Sequence, residues 1–360
     1  MSILFSPAAL GRLVVPNRIV RSATHEGLAD DAGNSTLRLV TLLEDLANGG
    51  VGTVISGHTY VLPEGRASRW QFGAAEDHHV SGLRKIAHTV QQAGAVFILQ
   101  LAHAGARADT GLIGQPAKGP SPGACGVETA EEMSPAEIHH TIDGFIAAAA
   151  RAQEAGCNGV QIHAAHGYFL STFLSPLFNR RTDEWGGNTE NRAKILLNIV
   201  SGIRRLVHDD FAILVKMNAA DYLQGGLETE EMIQIAQFLK EAGVDAVEMS
   251  GGTPVSGQEN PIRTQDDSVW YENSATMFKK TLDLPLILVG GIRDPATAER
   301  LISSGVCDAV SLSRPLIREP GLAKRWQAGD WRSADCISCN RCFVPMRKGE
   351  GLRCMQIPKV

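Results

Sequence analysis

The sequence predicts an α/β protein, a single-domain (β/α)8 TIM barrel with a short cysteine-bearing C-terminal extension. Eight short apolar segments alternate with helical patterns along the 360 residues, which is the order of elements in such a barrel. Most of the unusual polar residues directly follow one of these segments, at the rim where barrels of this kind build active sites. No G-x-G-x-x-G follows the first segment, which argues against an open dinucleotide-binding sheet.

The eight predicted strands are apolar on both faces, as parallel strands covered on both sides are. The first of them follows the turn signal Pro16-Asn17. In chain order the strands are Ile19–Ala23, Val51–Ser56, Val96–Leu101, Gly159–His163, Ile213–Met217, Ala246–Ser250, Leu286–Val289 and Ala309–Leu312.

Helical stretches lie between these strands. Ser134–Ala155 begins with Ser-Pro-Ala-Glu, which predicts a capping box with proline at the first helical position. Glu230–Ala242 and Pro295–Ser304 are each followed by a glycine, a common helix stop. Long loops follow the third and sixth strands, Ala104–Met133 and Gly251–Ser268, and we expect them to shape the substrate site.

We predict that the barrel spans residues 1–331 and that a cysteine-rich tail, residues 332–360, packs on it. With 44% hydrophobic and 20% charged residues, the chain has a globular composition and can bury a large core. A net charge of −5 without a basic cluster argues against a nucleic-acid partner. No apolar run is long enough to cross a bilayer, and the N-terminus lacks the order of a signal peptide. We therefore expect no membrane partner and a cytoplasmic protein, whose seven cysteines are thiols or metal ligands.

The most informative segment, His163-Ala-Ala-His166-Gly-Tyr168, leaves the fourth strand. Imidazole N–H groups can hold a carbonyl oxygen and stabilise negative charge that builds on it, and a phenol can deliver a proton to carbon. We therefore predict that these two histidines and the tyrosine are catalytic. The alternatives are a structural role for an isolated histidine, or a zinc ion shared by the pair, although no third ligand lies close in sequence.

Two further polar residues lie at strand ends. Gln100 carries an amide that can donate and accept at once, which suits the pyrimidine edge of a flavin or a base, although such a residue is often only a loop anchor. Lys216 must meet an anion or a developing negative charge, because burying it unpaired is costly. Its alternative is an ion pair with Asp221 or Glu248.

A phosphate site is predicted after the seventh and eighth strands. Gly290 and Gly291 follow one of them, and Ser313 and Arg314 follow the other, where barrels commonly bind phosphate with backbone N–H groups. The glycines let the backbone come close, and the arginine adds a fork of donors.

These segments resemble the Old Yellow Enzyme family of FMN oxidoreductases along essentially the full chain. The resemblance implies FMN as cofactor, NAD(P)H as its reductant, and the barrel predicted above. The matching segments are Leu4-Phe5-Ser6-Pro7, Asn17-Arg18-Ile19, Gln100-Leu-Ala-His-Ala-Gly105, His163-Ala-Ala-His-Gly-Tyr168, Phe173-Leu-Ser-Pro176, Asn179, Arg181, Asp183, Gly186-Gly187 and Glu190-Asn-Arg192.

The resemblance also implies roles for residues. His163 and His166 hold the carbonyl of an enone-type substrate, and Tyr168 protonates its α-carbon, after hydride transfer from flavin N5 to the β-carbon. Where many relatives carry Cys or Thr near flavin O4, this chain has His25, as in the dienoyl-CoA reductase branch. The implied flavin-binding residues are Ala23, Thr24, His25, His58, Gln100, Lys216, Gly290, Gly291, Ser313 and Arg314.

The tail carries Cys336-x2-Cys339-Asn-Arg-Cys342-x11-Cys354. It resembles the iron–sulfur motif of dienoyl-CoA reductase and trimethylamine dehydrogenase. Four thiolates at this spacing can hold a 4Fe-4S cluster or a structural zinc ion, and the remaining alternative is free thiols that load no metal. A cluster implies an external electron-transfer partner or a structural role.

Two other functions stay open. One is a flavin-dependent dehydrogenase or demethylase of small amines or ethers, and the other is a redox-sensing flavin-binding protein. The carbonyl clamp of His163, His166 and Tyr168 favours an ene-reductase over both. The oligomeric state is also open, although a homo-oligomer is common among look-alikes.

Overall fold

A computed structural model describes residues 2–259 and 269–357 of the chain. Its centre is a closed barrel of eight parallel strands, each paired with two neighbours, and the pairing of the last strand with the first closes the ring. The predicted barrel is thus confirmed, and the strand ends differ from the predicted ones by two residues at most. Strands β1 to β8 are Ile19–Arg21, Thr53–Ile55, Val96–Ala102, Gly159–Ala164, Ala212–Asn218, Ala246–Ser250, Leu286–Val289 and Ala309–Leu312.

Within the described ranges, seven long helices follow the first seven strands in turn. We label them α1 to α7: Leu37–Asn48, Val80–Gln92, Pro135–Glu154, Thr189–Leu206, Thr229–Glu241, Glu272–Thr281 and Pro295–Ser303. Shorter helices lie at Thr110–Ile113, Phe169–Leu174, Arg314–Arg318, Leu322–Gln327 and Phe343–Met346. Short strands lie at Ala8–Leu10, Leu13–Val15, Thr59–Tyr60, Lys118–Gly119 and Glu131–Glu132. No helix among the described residues combines the length and the apolar character that crossing a membrane requires.

The predicted capping box is present at the start of α3. The side chain of Ser134 accepts a hydrogen bond from the backbone N–H of Glu137, whose carboxylate accepts one from the backbone N–H of Ser134. The two predicted long loops have different outcomes. Residues 104–133 contain a short helix and a short parallel strand pair, whereas 260–268 of the second loop lie outside the described residues.

An antiparallel hairpin that the sequence analysis did not predict, residues 8–15, packs against the inside of the barrel. Leu10, Leu13 and Val15 form one buried cluster with inward-facing residues such as Leu214 and Ile287. The larger core lies between the strands and the surrounding helices. The hairpin therefore adds to the core inside the barrel and leaves the carboxyl ends of the strands free to build a site.

Asp245 joins the hairpin to the barrel. Its carboxylate is 1% exposed and lies 2.9 Å from Arg12 Nη1 and 2.8 Å from Arg204 Nη2. It also accepts hydrogen bonds from the backbone N–H groups of Arg12 and Ile213. One buried carboxylate thus satisfies four donors.

Replacing Asp245 with alanine is expected to lower the free energy of unfolding by about 3–5 kcal/mol, because Arg204, which is 16% exposed, and the buried backbone N–H of Ile213 lose their charged partner. Urea unfolding followed by circular dichroism measures this. The control is Asp77→Ala, which removes a carboxylate that is 92% exposed and pairs with Arg151, and should cost at most about 1 kcal/mol. Equal losses in the two variants would contradict the expectation.

Candidate active site

A cavity of about 360 Å³ opens at the carboxyl ends of the barrel strands, within the usual range for small-molecule sites. Because the strands are parallel, the residues that end them or directly follow them meet at one rim. Each of the eight strands, or the segment that follows it, supplies at least one lining residue: Ala23, His58, Gln100, His163, Lys216, Ser250, Gly290 and Ser313.

The structure brings together all thirteen residues that the sequence analysis assigned to catalysis or to flavin binding. Their shared cavity agrees with a common site, while the role of each residue stays a prediction. The thirteen are Ala23, Thr24, His25, His58, Gln100, His163, His166, Tyr168, Lys216, Gly290, Gly291, Ser313 and Arg314.

A tight turn after β4 places the two histidines and the tyrosine at this cavity. His166 and Gly167 have φ angles of 65° and 71°, and a left-handed conformation is unfavourable for a residue with a side chain. Hydrogen bonds hold His166 there: its backbone N–H donates to Asn218 Oδ1 at 3.0 Å, and its Nε2 lies 2.7 Å from Ser250 Oγ. A Cβ on Gly167 would lie 2.4 Å from Cys125 Sγ, so this position requires glycine.

The turn groups three rings. The ring centroid of His163 lies 5.3 Å from that of His166 and 5.3 Å from that of Tyr168. His163 Nδ1 is buried and has no hydrogen-bond partner among the described residues. Burial, reinforced by the nearby charges of Lys216 and Arg107, holds the pKa of His163 well below its usual value, and burial lowers the pKa of His166 to about 3.

At neutral pH both imidazoles are therefore uncharged, and each carries one N–H that can donate. A neutral donor pair in an enclosed site can hold a carbonyl oxygen and stabilise charge that develops on it. The alternative of a zinc ion is not supported. In residues 2–259 and 269–357, no three histidine, cysteine, aspartate or glutamate side chains are placed to hold a metal ion.

A second imidazole pair, His25 and His58, also lies close to Tyr168. The rings of His25 and His58 are 4.5 Å apart, and that of His58 is 5.6 Å from the ring of Tyr168. Gln71 Oε1 accepts from the backbone N–H of Ala67, so its Nε2 is the atom 2.6 Å from His58 Nδ1. Because an amide nitrogen only donates, His58 Nδ1 is the acceptor and its proton lies on Nε2. Burial lowers the pKa of His25 to about 4 and holds that of His58 well below its usual value.

Lys216 lines the cavity and also forms one of the two ion pairs considered as alternatives. Its Nζ lies 3.1 Å from Glu248 Oε1 and donates to Ser22 Oγ at 2.7 Å. Lys216 is 3% exposed and Glu248 is fully buried. The positive charge of Lys216, which lines the cavity, is therefore already paired with the buried carboxylate of Glu248.

The part of the cavity that Gly290, Gly291 and Arg314 line fits an anionic group. Gly290 and Gly291 have φ angles of 111° and 77°, and a Cβ on Gly290 would lie 2.9 Å from the rings of Trp270 and Tyr271. The Arg314 guanidinium stacks 5.2 Å from the Trp270 ring centroid. Trp270 Nε1 is buried without a partner in the described part of the chain. A glycine cradle, a guanidinium and an unused indole N–H fit the phosphate of FMN.

Several lining residues were missed. Ser250 and Ser311 line the cavity and were detectable, since each is a polar residue at or near the end of an apolar strand. Asn340 and Phe343 also line it and had no detectable signal, because they come from the tail. Asn340 Oδ1 accepts a hydrogen bond from Arg314 at 2.5 Å, so the tail covers the phosphate end. The division of the chain at residue 331 stays a prediction.

The four tail cysteines lie round one small cavity next to Arg314. Burial raises the pKa of Cys342 to about 11, whereas a backbone N–H from Arg341 lowers the pKa of Cys339. A single zinc ion needs its thiolates about 2.3 Å from one common point, and the described residues contain no such group. The predicted metal site at Cys336, Cys339, Cys342 and Cys354, whether for an iron–sulfur cluster or for zinc, is not supported by the structure.

Comparisons with known proteins agree on one family. Residues 3–331 match the model of the NADH:flavin oxidoreductase / NADH oxidase family. The NADH oxidase of Thermoanaerobacter brockii is 34% identical over 355 residues, which are 97% of this chain and 54% of that protein. The NADPH dehydrogenase of Bacillus subtilis is 34% identical over 328 residues, 89% of this chain and 93% of that protein.

A solved structure is similar over nearly the whole chain. The complex of 2-naphthoyl-CoA reductase with 2-naphthoyl-CoA superposes with a TM-score of 0.92 at 30% identity, covering 99% of this chain and 57% of that one. The chain thus spans about half the length of this reductase and of the NADH oxidase.

Proposed function

The chain belongs to the NADH:flavin oxidoreductase / NADH oxidase family, the Old Yellow Enzyme family that its sequence resembles, and we propose that it is an FMN-dependent ene-reductase. In this proposal it uses NAD(P)H to reduce the C=C bond of α,β-unsaturated carbonyl compounds. The observation that carries the proposal is the grouping of two uncharged imidazoles and one phenol, His163, His166 and Tyr168, in a cavity that fits a flavin.

FMN, when bound, supplies the hydride that is added to the substrate. Its phosphate would lie at Gly290, Gly291 and Arg314, which follow β7 and β8, and its pyrimidine edge at Gln100 and Lys216, which lie on β3 and β5, since all five residues line one cavity. Lys216 is the only cation placed at that edge in this assignment. Its positive charge would stabilise the negative charge that the flavin carries after reduction.

The side chains of this protein do the remaining work. His163 and His166 donate N–H groups to the substrate carbonyl, which orients the double bond and stabilises the enolate charge that develops on oxygen. Tyr168, whose ring lies 5.3 Å from that of His163, delivers its phenolic proton to the α-carbon.

We expect anaerobic enzyme reduced by NADH or NADPH to be reoxidised by cyclohexenone with formation of cyclohexanone, since the carbonyl clamp recognises a conjugated ketone. Gas chromatography of the product and the flavin absorbance measure this. Trimethylamine is the control substrate for the amine-oxidising alternative, and it should not reduce the oxidised enzyme. Reduction by the amine without turnover of any enone would overturn the proposal. An aryl thioester of coenzyme A belongs in the same series, because the similar 2-naphthoyl-CoA reductase was solved with one.

A 4Fe-4S cluster at the tail cysteines is the finer part of this proposal. The argument for it is the spacing of Cys336, Cys339, Cys342 and Cys354 along the chain, and the four cysteines line one cavity. Iron, sulfide and zinc are assayed on protein purified without air: about four irons per chain supports the cluster, and flavin bands without iron overturn it. No step of the proposed reduction uses these cysteines. The cytoplasmic location, an electron-transfer partner and a homo-oligomer stay predictions.

A further inference from the structure

A buried carboxylate lies beneath the cavity without lining it. Glu248, on β6, accepts hydrogen bonds on Oε1 from Ser22 at 2.6 Å, Ser311 at 2.8 Å and Lys216 at 3.1 Å. Its other oxygen, Oε2, accepts one from Gln161 at 2.8 Å. These donors come from β4, β5, β8 and the residue after β1, and three of them also line the cavity.

The carboxylate is ionised at neutral pH. Burial alone would raise the pKa of Glu248, but Lys216 and the hydrogen bonds from Ser22, Gln161 and Ser311 outweigh it and leave the pKa below its ordinary value. An ionised carboxylate only accepts hydrogen bonds. Every group that faces Glu248 must therefore turn a donor toward it.

The need for a donor toward Glu248 determines the orientation of the side-chain amide of Gln161, and through it that of Gln100. Gln161 directs Nε2 to Glu248, so its Oε1 is the atom that accepts from Gln100 Nε2 at 2.7 Å. Gln100 has then committed one of its two N–H groups to Gln161, and its Oε1 is an acceptor on a side chain that lines the cavity. A ligand edge that lies against this oxygen must present a donor, as the N3–H of a flavin pyrimidine does.

The Glu248 carboxylate also balances the positive charge of Lys216. Lys216 is a cation at the position that would meet the reduced flavin, and an unbalanced cation there would stabilise negative charge on the ring. Glu248, 3.1 Å away, offsets that stabilisation. Its effect on the flavin is therefore electrostatic as well as geometric.

We propose that Glu248 is a positioning residue for the flavin: through Gln161 it orients Gln100, and through Lys216 it lowers the reduction potential of the bound FMN. This inference rests on the proposed binding of FMN but not on the identity of the substrate.

The test is the midpoint potential of the FMN-loaded Glu248→Gln variant, measured by spectroelectrochemical titration. Removing the negative charge should strengthen binding of reduced over oxidised flavin by about tenfold or more, which corresponds to a rise of about 30 mV or more for a two-electron couple. The matched control is Asp245→Asn. It makes the same change at a buried, ion-paired carboxylate beside the N-terminal hairpin and should leave the potential unchanged.

An unchanged potential in folded, FMN-loaded Glu248→Gln overturns the proposal. If that variant does not retain flavin, Gln161→Leu keeps the ion pair and cuts only the amide chain. Its dissociation constant for oxidised FMN should rise about tenfold, and an unchanged constant overturns the proposal as well. Failure of cyclohexenone turnover with the expected potential shift would sink the ene-reductase assignment alone, whereas intact turnover with no shift would sink this inference alone.

Discussion

Replacing Tyr168 with phenylalanine is expected to slow the reoxidation of the reduced enzyme by cyclohexenone by roughly 10²–10⁴-fold, the usual contribution of a positioned general acid. The phenol is the proton donor that this variant removes. The ring itself stays, and with it the contacts to His163 and His58 and the stacking of the Arg107 guanidinium 4.7 Å from its centroid. Reduction of the enzyme by NAD(P)H, which needs no proton at this position, should keep its rate.

Stopped-flow measurement of the two half-reactions separates these effects, because each is followed by flavin absorbance on its own. The matched control is Tyr222→Phe, the same chemical change on a partly buried tyrosine that packs near Tyr271 and does not line the cavity. It should alter neither rate. If Tyr168→Phe reoxidises as fast as the unmodified enzyme, water supplies the proton and the assignment of Tyr168 is wrong.

The barrel could be predicted because its signal is local. Segments such as Leu286–Val289 are apolar on both faces, a pattern that is typical of a parallel strand covered on both sides. The site residues followed for the same reason, since strand ends in a closed parallel barrel meet at one rim. Gln100 and Lys216 could thus be assigned to one site although 116 positions separate them.

What the sequence did not show depends on contacts between distant segments. Glu248 lies inside an apolar strand, and nothing local indicates that Ser22, Gln161 and Ser311 converge on it. Likewise the tautomer of His58 follows from Gln71, thirteen residues away. Such partners become visible only when the register of the strands and the path of the loops are known.

The tail illustrates the reverse case, in which a strong local signal does not settle the chemistry. Its cysteine spacing predicts metal, and the four residues do share one cavity. The spacing of the cysteines gives the order of the possible ligands along the chain. It does not determine the distances between their sulfur atoms in the fold. The contact of Asn340 with Arg314, which the spacing gave no hint of, places this segment at the phosphate end of the candidate flavin site.

Lowering the pH below 6.5 is expected to destabilise the protein steeply, because its buried histidines do not accept protons in the folded state. Burial lowers the pKa of His103 and of His166 to about 3 and that of His25 to about 4, and it holds His163 far below its usual value. In the unfolded chain each histidine titrates near pH 6.5. Their contribution to stability is thus complete above that pH and is lost as the pH falls toward the folded pKa values.

Each such histidine lowers the free energy of unfolding by about 1.4 kcal/mol for each pH unit below 6.5. His103 is 4% exposed and does not line the cavity, so it should contribute nearly in full, roughly 1.4 kcal/mol per pH unit. His25, His58, His163 and His166 face the cavity, where water reduces the cost of charging them. Acid unfolding should therefore occur well above the pH at which carboxylates titrate.

Urea unfolding between pH 7 and pH 4.5, at constant FMN concentration, measures the slope, and His103→Gln isolates one contribution. Glutamine is a neutral hydrogen-bonding side chain that cannot titrate. In His103→Gln, the change in the free energy of unfolding with pH should be smaller by about 1.4 kcal/mol per pH unit. The control is His88→Gln on α2, where the side chain is exposed and the slope should not change. An equal slope in His103→Gln and the unmodified protein would mean that His103 takes up its proton without unfolding, and that the interior beside the site admits charge.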